Sequence, residues 1–260
     1  MTFIKAEWFR HSKIRAYPFF MLALIMISLA INLYLRLITP YHDFDINLLN
    51  GTKIIISLFL MGLTIAFPII TSAFSNKSRF IKEQLVTSQI NFKQAYLCDL
   101  IIASIYSMVA FVLFIGFSFI FGRTLLGPSL SPLTFGPENI SVWQVYLAIL
   151  VAIVTLLVQA ISIHKIIKNS ILSTGLFIGI SYVLAIILLQ TRFFSQTAAY
   201  LSLLFPMCNM NYWVGGHISF LSFISLNFVL ILAHVGIVLT YNKFKTGLTS
   251  HLLKSYKKKP

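Results

Sequence analysis

Charge is what this sequence has least of. Aspartate and glutamate together number six, and all charged residues make up 10% of the chain against 58% hydrophobic. A soluble domain typically carries roughly 25% charged residues, so too few are present here to coat a water-soluble surface. The apolar residues also fall in long blocks and do not recur with a short period, which separates a membrane protein from an apolar globule. Cysteine is nearly absent: Cys98 and Cys208 stand in distant segments, make no metal-ligand spacing and establish no disulfide. They read as two inert thiols. Several motifs are missing too. There is no GxxxxGK(S/T) loop to cradle ATP phosphates, no HExxH and no TVGYG filter. No span carries a midplane carboxylate or a chain of ionisable groups of the kind that bind a coupling ion. No nucleophile–base set and no metal-ligand cluster stands out, so no catalytic residue, no metal and no enzymatic activity are expected.

What is present is a series of apolar blocks. A helix crossing the hydrocarbon core needs about 20 mainly apolar residues at about 1.5 Å each. Six blocks meet this: Tyr17 to Ile38, Ile54 to Phe74, Leu97 to Gly122, Trp143 to Ile163, Ile171 to Leu189 and Ile218 to Tyr241. They are continuously apolar, where a transmembrane β-barrel would alternate. Pro18 and Pro68 sit near span ends, where a missing backbone donor costs least. The first block is too long for the core of a cleaved signal peptide and reads as a retained span. The expected fold is an all-α integral membrane protein of six transmembrane helices.

The net charge of +14 would suit a nucleic-acid binder, but its placement does not, because the basic residues sit between the blocks and at the ends. Lys5, Arg10, Lys13 and Arg15 precede the first span; Lys77, Arg79, Lys82 and Lys93 follow the second; Lys165 and Lys168 follow the fourth; Lys243, Lys245, Lys254, Lys257, Lys258 and Lys259 follow the sixth. Only Arg36, Lys53, Arg123 and Arg192 fall on or near the other side. The excess of Lys and Arg marks the cytoplasmic side, which places both termini in the cytoplasm and requires an even number of spans. The expected surroundings are the lipid bilayer of a cell membrane, with no nucleic acid as partner.

Three groups of residues carry candidate functions. Residues 1–16 form a basic, aromatic stretch in which Phe3, Ile4, Trp8 and Phe9 can share one helical face, suiting a cytoplasmic interfacial helix; the alternative is a basic flank that only sets topology. In the connection after the second span, Ile81, Leu85, Val86 and Ile90 recur at helical spacing with Lys82, Glu83 and Gln84 among them. That pattern predicts a short amphipathic helix at about residues 79–91 whose apolar face needs lipid or a protein partner; the alternative is a solvated loop. The third group is ionisable residues at membrane depth. Asp99, near the start of the third span, is expected to pair with Lys93 or cap the helix N-terminus. His234, inside the sixth span, is expected to stay neutral and bond to a neighbouring helix. For both, a structural role competes with a functional one. The outer segment at about residues 190–217 is too apolar to be freely solvated and reads as short helices at the outer membrane surface.

This layout resembles the permease subunit of ABC-2 type exporters: a basic amphipathic start (IKAEWFRHSKIRAYPFF), six spans over residues 17–241, a cytoplasmic amphipathic helix between spans two and three, the apolar outer segment, and a basic tail at 242–260. The resemblance implies two permease subunits, homo- or heterodimeric, on two P-loop ABC ATPase subunits. It makes the stretch at 79–91 a coupling helix, with Ile81 and Leu85 as apolar anchors, Arg79, Lys82 and Glu83 as rim contacts, and Phe80 and Ile90 within the same contact. His164 to Asn169 would give a second, smaller contact. ATP and magnesium would belong to the partner ATPase, with no cofactor in this chain. Permeases resembling this one serve in lantibiotic or bacteriocin immunity and in export of cytolytic peptides from bacteria, which implies hydrophobic or amphipathic peptides as cargo at the bacterial cytoplasmic membrane. The alternative is a stand-alone immunity or scaffold protein that acts without ATP-coupled transport.

Overall fold

In lipid every backbone N–H and C=O must find its partner within the protein, and a helix satisfies them along a single apolar run. The computed structural model follows that constraint. It describes residues 16–38, 47–60, 64, 66, 68–69, 91–128, 133–135, 140–167, 169–191 and 194–256. Its helices are α1 (Ala16–Ile38), α2 (Leu48–Leu58), α3 (Phe92–Leu125), α4 (Val142–Ile166), α5 (Ser170–Thr191), α6 (Gln196–Ser202), α7 (Pro206–Val214) and α8 (Phe220–Tyr256). A two-residue hairpin, β1 (Thr134–Phe135) with β2 (Ile140–Ser141), precedes α4. Among the described residues, five helices, α1, α3, α4, α5 and α8, are long and apolar enough to cross a membrane. The chain is an all-α, multi-pass membrane protein.

The expected block from Ile54 to Phe74 differs from what is described there. Helix α2 starts earlier, at Leu48, and the described residues between 59 and 69 are also helical. Its first turns hold polar residues that a hydropathy reading rejects. Thr52 answers its own polarity by donating to the Leu48 carbonyl at 2.6 Å. The third, fourth and sixth blocks likewise extend past their expected ends, because helix formation continues into residues the hydrocarbon does not require to be apolar.

Helix α4 is the centre. It buries 72% of its most apolar stretch, against 22% for α1 and 17% for α8. Ala148, Ala152 and Ala160 are buried on it and let neighbours come close. Around it, Ile149, Ile153 and Leu156 join Phe59 just past α2, Phe111 and Phe114 of α3, Phe177 of α5 and Phe223 of α8 in one core. The lower-burial helices present apolar side chains outward, such as Leu22, Met26 and Leu37 on α1 and Phe228, Val229 and Leu232 on α8. Their lipid-like composition accounts for that exposure.

Helices α1 and α3 run parallel. Tyr17 stacks on Tyr106 with ring centroids 4.1 Å apart, and further along both helices Ser28 shares a 2.6 Å hydrogen bond with Ser118. At the far end of this pair α2 joins them. A Cβ on Gly122 of α3 would stand 2.9 Å from a Leu48 methyl and 3.2 Å from the Asn32 side-chain oxygen. Helix α3 then stops at Gly127, whose φ of +86° suits glycine, and the Gly127 carbonyl accepts from Leu48 N at 3.2 Å. Replacing Gly122 with Val is therefore expected to destabilise the protein by about 1–3 kcal/mol through overpacking. Gly116→Val, on the open face of the same helix where nothing lies within 4 Å, serves as the control. Thermal unfolding in detergent compares the two; equal midpoints would remove the close approach of α1, α2 and α3 from the account.

Candidate functional site

Polar side chains on α4 define the site. From its middle to its last turn the helix carries Thr155, Gln159, Ser162, His164 and Lys165. Four of these bond across to neighbouring helices. Ser162 and Tyr96 of α3 share a 2.8 Å hydrogen bond. Lys165 Nζ donates to Asp99 Oδ2 of α3 at 2.8 Å. Gln159 Oε1 accepts from Ser181 Oγ of α5 at 3.2 Å. His164 Nδ1 and Ser173 Oγ of α5 form a further contact one turn from the α4 terminus. Thr155 instead bonds back to the Val151 carbonyl of its own helix. The last two turns of α4, the first three of α3 and the first of α5 are thereby tied at one end of the molecule.

The Asp99–Lys165 pair is the strongest element of this cluster. Asp99 is fully buried, while the Lys165 side chain keeps 26% of its surface exposed. Asp99 lies seven residues after Phe92, about 10 Å along the helix at about 1.5 Å per residue. It is too far from the end to act as a cap. That role belongs to Asn91, whose side-chain oxygen accepts from Lys93 N. The expected partner of Asp99, Lys93, is exposed at the helix start. The partner is Lys165, which the sequence places among the topology charges and within the stretch from His164 to Asn169. A carboxylate withdrawn this far from water needs a compensating cation, and the cation is supplied from 66 residues away.

His234 also differs from expectation. Its Nδ1 pairs with the Leu230 carbonyl at 2.7 Å, one turn back on α8, and not with a neighbouring helix. This satisfies one ring nitrogen within the helix itself. Cys98 and Cys208 are both buried, on α3 and α7, and are not joined. Among the described residues no group of three or more His, Cys, Asp or Glu side chains is placed to hold a metal ion.

The coupling-helix residues Arg79, Phe80, Ile81, Lys82, Glu83, Leu85 and Ile90 lie outside the described residues, as does the amphipathic start at 1–15. The geometry next to them is described. Asn91, the last residue of the expected coupling stretch, caps the start of α3, and Asn169, at the end of the expected second contact, caps α5 by accepting from Ile171 N and Leu172 N. Both connections therefore abut the tied helix ends.

The outer segment folds as two short helices, α6 and α7. Helix α7 does not lie on a surface: Pro206 to Met210, Tyr212 and Trp213 are all buried. It packs on α4, α5 and α8, with Trp213 against Phe220 and Phe223. Its apolar residues seek protein instead of the lipid interface. Asn209 on this helix is fully buried, and neither its side-chain nitrogen nor its oxygen meets a hydrogen-bond partner among the described residues.

No protein-family model, no curated protein and no solved structure matches the chain.

Two measurements test the energetics described above. Lys165→Met strands the buried Asp99 charge and is expected to cost about 3–5 kcal/mol. Adding Asp99→Leu in the same chain should recover most of that loss, since an ion pair replaced whole by apolar side chains is close to neutral. Unfolding midpoints of the single and double variants decide; a single variant as stable as the parent would show that the pair does not matter. Asn209→Leu removes an unanswered buried amide at similar volume and is expected to raise stability by about 1–3 kcal/mol. A lowered midpoint would mean that the amide is satisfied.

Proposed function

We propose that this chain is the membrane-spanning permease subunit of an ATP-driven exporter of the ABC-2 type, in a bacterial cytoplasmic membrane with both termini cytoplasmic. In this reading residues 54–74 supply the second of six spans, and the amphipathic stretch at 79–91 docks on a P-loop ATPase. The cargo is a hydrophobic or amphipathic peptide, as in peptide export or immunity. The observation that carries the reading is the tie between helix ends. The expected coupling stretch runs directly into α3, and α3 is locked to α4 by the Asp99–Lys165 pair and the Tyr96–Ser162 bond. A push delivered at the start of α3 therefore reaches the central helix and, through Gln159–Ser181, reaches α5. A chain with no nucleotide-binding motif of its own and a mechanically linked entry point suits work supplied from outside.

Replacing both Ile81 and Leu85 with charged residues is expected to abolish co-purification with the ATPase partner while membrane insertion stays at the parental level. Affinity capture from membranes, with the inserted amount measured alongside, reads both quantities. Retained capture and retained transport in the double variant would remove the coupling assignment. Full protection or transport in cells lacking the partner ATPase would favour a stand-alone immunity or scaffold role.

A further inference from the structure

Helix α5 is not α-helical throughout. Gly179–Leu184 forms a π-helical segment, in which i→i+5 bonding widens the turn; such segments appear mostly as single-turn features and frequently at functional sites. Next to it lies a cavity of about 410 Å³, bounded by the second half of α5, by α7 and by Leu60 just past α2. This size falls inside the range of about 300–1,000 Å³ typical of small-molecule sites.

The chemistry of its wall is specific. Leu60, Leu189 and Met207 supply apolar surface. Ser181, Tyr182, Gln190, Cys208 and Asn211 supply polar groups, and among the described residues none that lines the cavity carries a charge. Two of the polar groups are held in place from behind. Ser181 donates to Gln159 of α4, and Cys208 Sγ donates to the Ala185 carbonyl at 3.3 Å, pinning α7 to α5. Asn211 spends one amide N–H on the Met207 carbonyl, and its side-chain oxygen remains an acceptor. Among the described residues the Tyr182 hydroxyl has no hydrogen bond. The wall is open past Ile186 and Gln190, both exposed.

We infer that this cavity binds an uncharged amphiphile, with an apolar body against Leu60, Leu189 and Met207 and an amide or hydroxyl group against Tyr182 and Asn211. A charged ligand would lose its hydration with no counter-charge in the wall. A purely apolar one would bury the Tyr182 and Asn211 groups unanswered. A neutral lipid-like amide and a blocked apolar peptide share the required chemistry, and the test separates them.

The test uses the full-length chain alone, in phosphatidylcholine nanodiscs without nucleotide or partner. A failure here and a failed ATPase capture are therefore separate results. Three photoreactive diazirine probes are compared: an N-acyl ethanolamide, the free carboxylate of the same acyl chain, and N-acetyl-leucyl-phenylalaninamide. At least one neutral probe is expected to form adducts confined to residues 181–190 and 206–211, captured roughly tenfold better than the carboxylate. Capture of the ethanolamide identifies the lipid-like source, and capture of the dipeptide amide the peptide-like one. Tyr182→Phe combined with Asn211→Leu is expected to lower that capture roughly tenfold. The site is overturned by adducts spread evenly over the outward faces of α1 and α8, by equal capture of the carboxylate, by capture of no neutral probe, or by undiminished capture in a folded double variant. Should that variant not fold, the adduct map and the carboxylate comparison on the unmodified chain decide alone.

Discussion

A polar side chain on a helix at the centre of a membrane protein has no water to turn to, and its neighbours must answer it. Helix α4 imposes that requirement on the rest of the molecule. Ser162 is answered by Tyr96, Lys165 by Asp99 and Gln159 by Ser181. Each interhelical hydrogen bond in a bilayer is worth only about 0.6 kcal/mol on average and at most about 1.7. Their larger effect is on register. Sliding α3 by one turn, about 5.4 Å, would withdraw Asp99 from Lys165 and Tyr96 from Ser162 together and leave a charge stranded. The apolar contacts of Ile149, Ile153 and Leu156 impose no such discrimination, because one branched aliphatic surface packs on lipid or on a shifted neighbour almost as well.

This division explains which parts of the structure were legible in the sequence. Blocks of apolar residues are set by the thickness of the bilayer, a constraint that acts on consecutive residues, and so α1, α3, α4, α5 and α8 stand where continuous hydropathy places them. The partner of Asp99 is set by the packing of α3 against α4, which brings together residues far apart in the chain. Sequence proximity favoured Lys93, which lies two turns nearer the helix start. A carboxylate at Asp99 did signal that some cation must be near, and Lys165 was the basic residue closest to the same end on the next span. The start of α2 was illegible for a different reason: Asn50, Thr52 and Lys53 lower its hydropathy, while a side-chain bond such as Thr52 to Leu48 makes the helix acceptable there.

The outer segment shows how a composition can be read correctly and its location still missed. Leu203, Phe205, Tyr212 and Trp213 demanded burial, and an amphipathic helix at the interface was one way to supply it. The protein supplies another. Phe205, Cys208 and Tyr212 pack with Ala185 of α5, and the Tyr212 hydroxyl accepts from Ser202 Oγ at the end of α6. Pro206 starts α7 where no backbone donor is needed, and glycines at 215 and 216 end it, the latter with φ of +74°. Local signals thus set the bounds of α7, while its burial follows from the helices around it. Asn209 is the unresolved cost of that burial: an amide deep in the protein is tolerated only where the rest of the packing is strong enough to hold it.

The distribution of polarity along the bundle carries the last step. At the end where α3 and α5 begin, the interhelical contacts include a full ion pair. Near the other end of α5 the polar groups among the described residues are uncharged, and they gather around a widened turn. A charge-paired contact is costly to break and easy to define, so it favours two helices moving as one body. Neutral contacts beside a π segment cost less to rearrange, because each exchanges one modest hydrogen bond for another. A displacement entering at the start of α3 would therefore be carried rigidly through α3 and α4 and absorbed where α5 meets α7. The mechanical character of the two ends follows from which residues α4 and α7 present to α5, before any partner or cargo is considered.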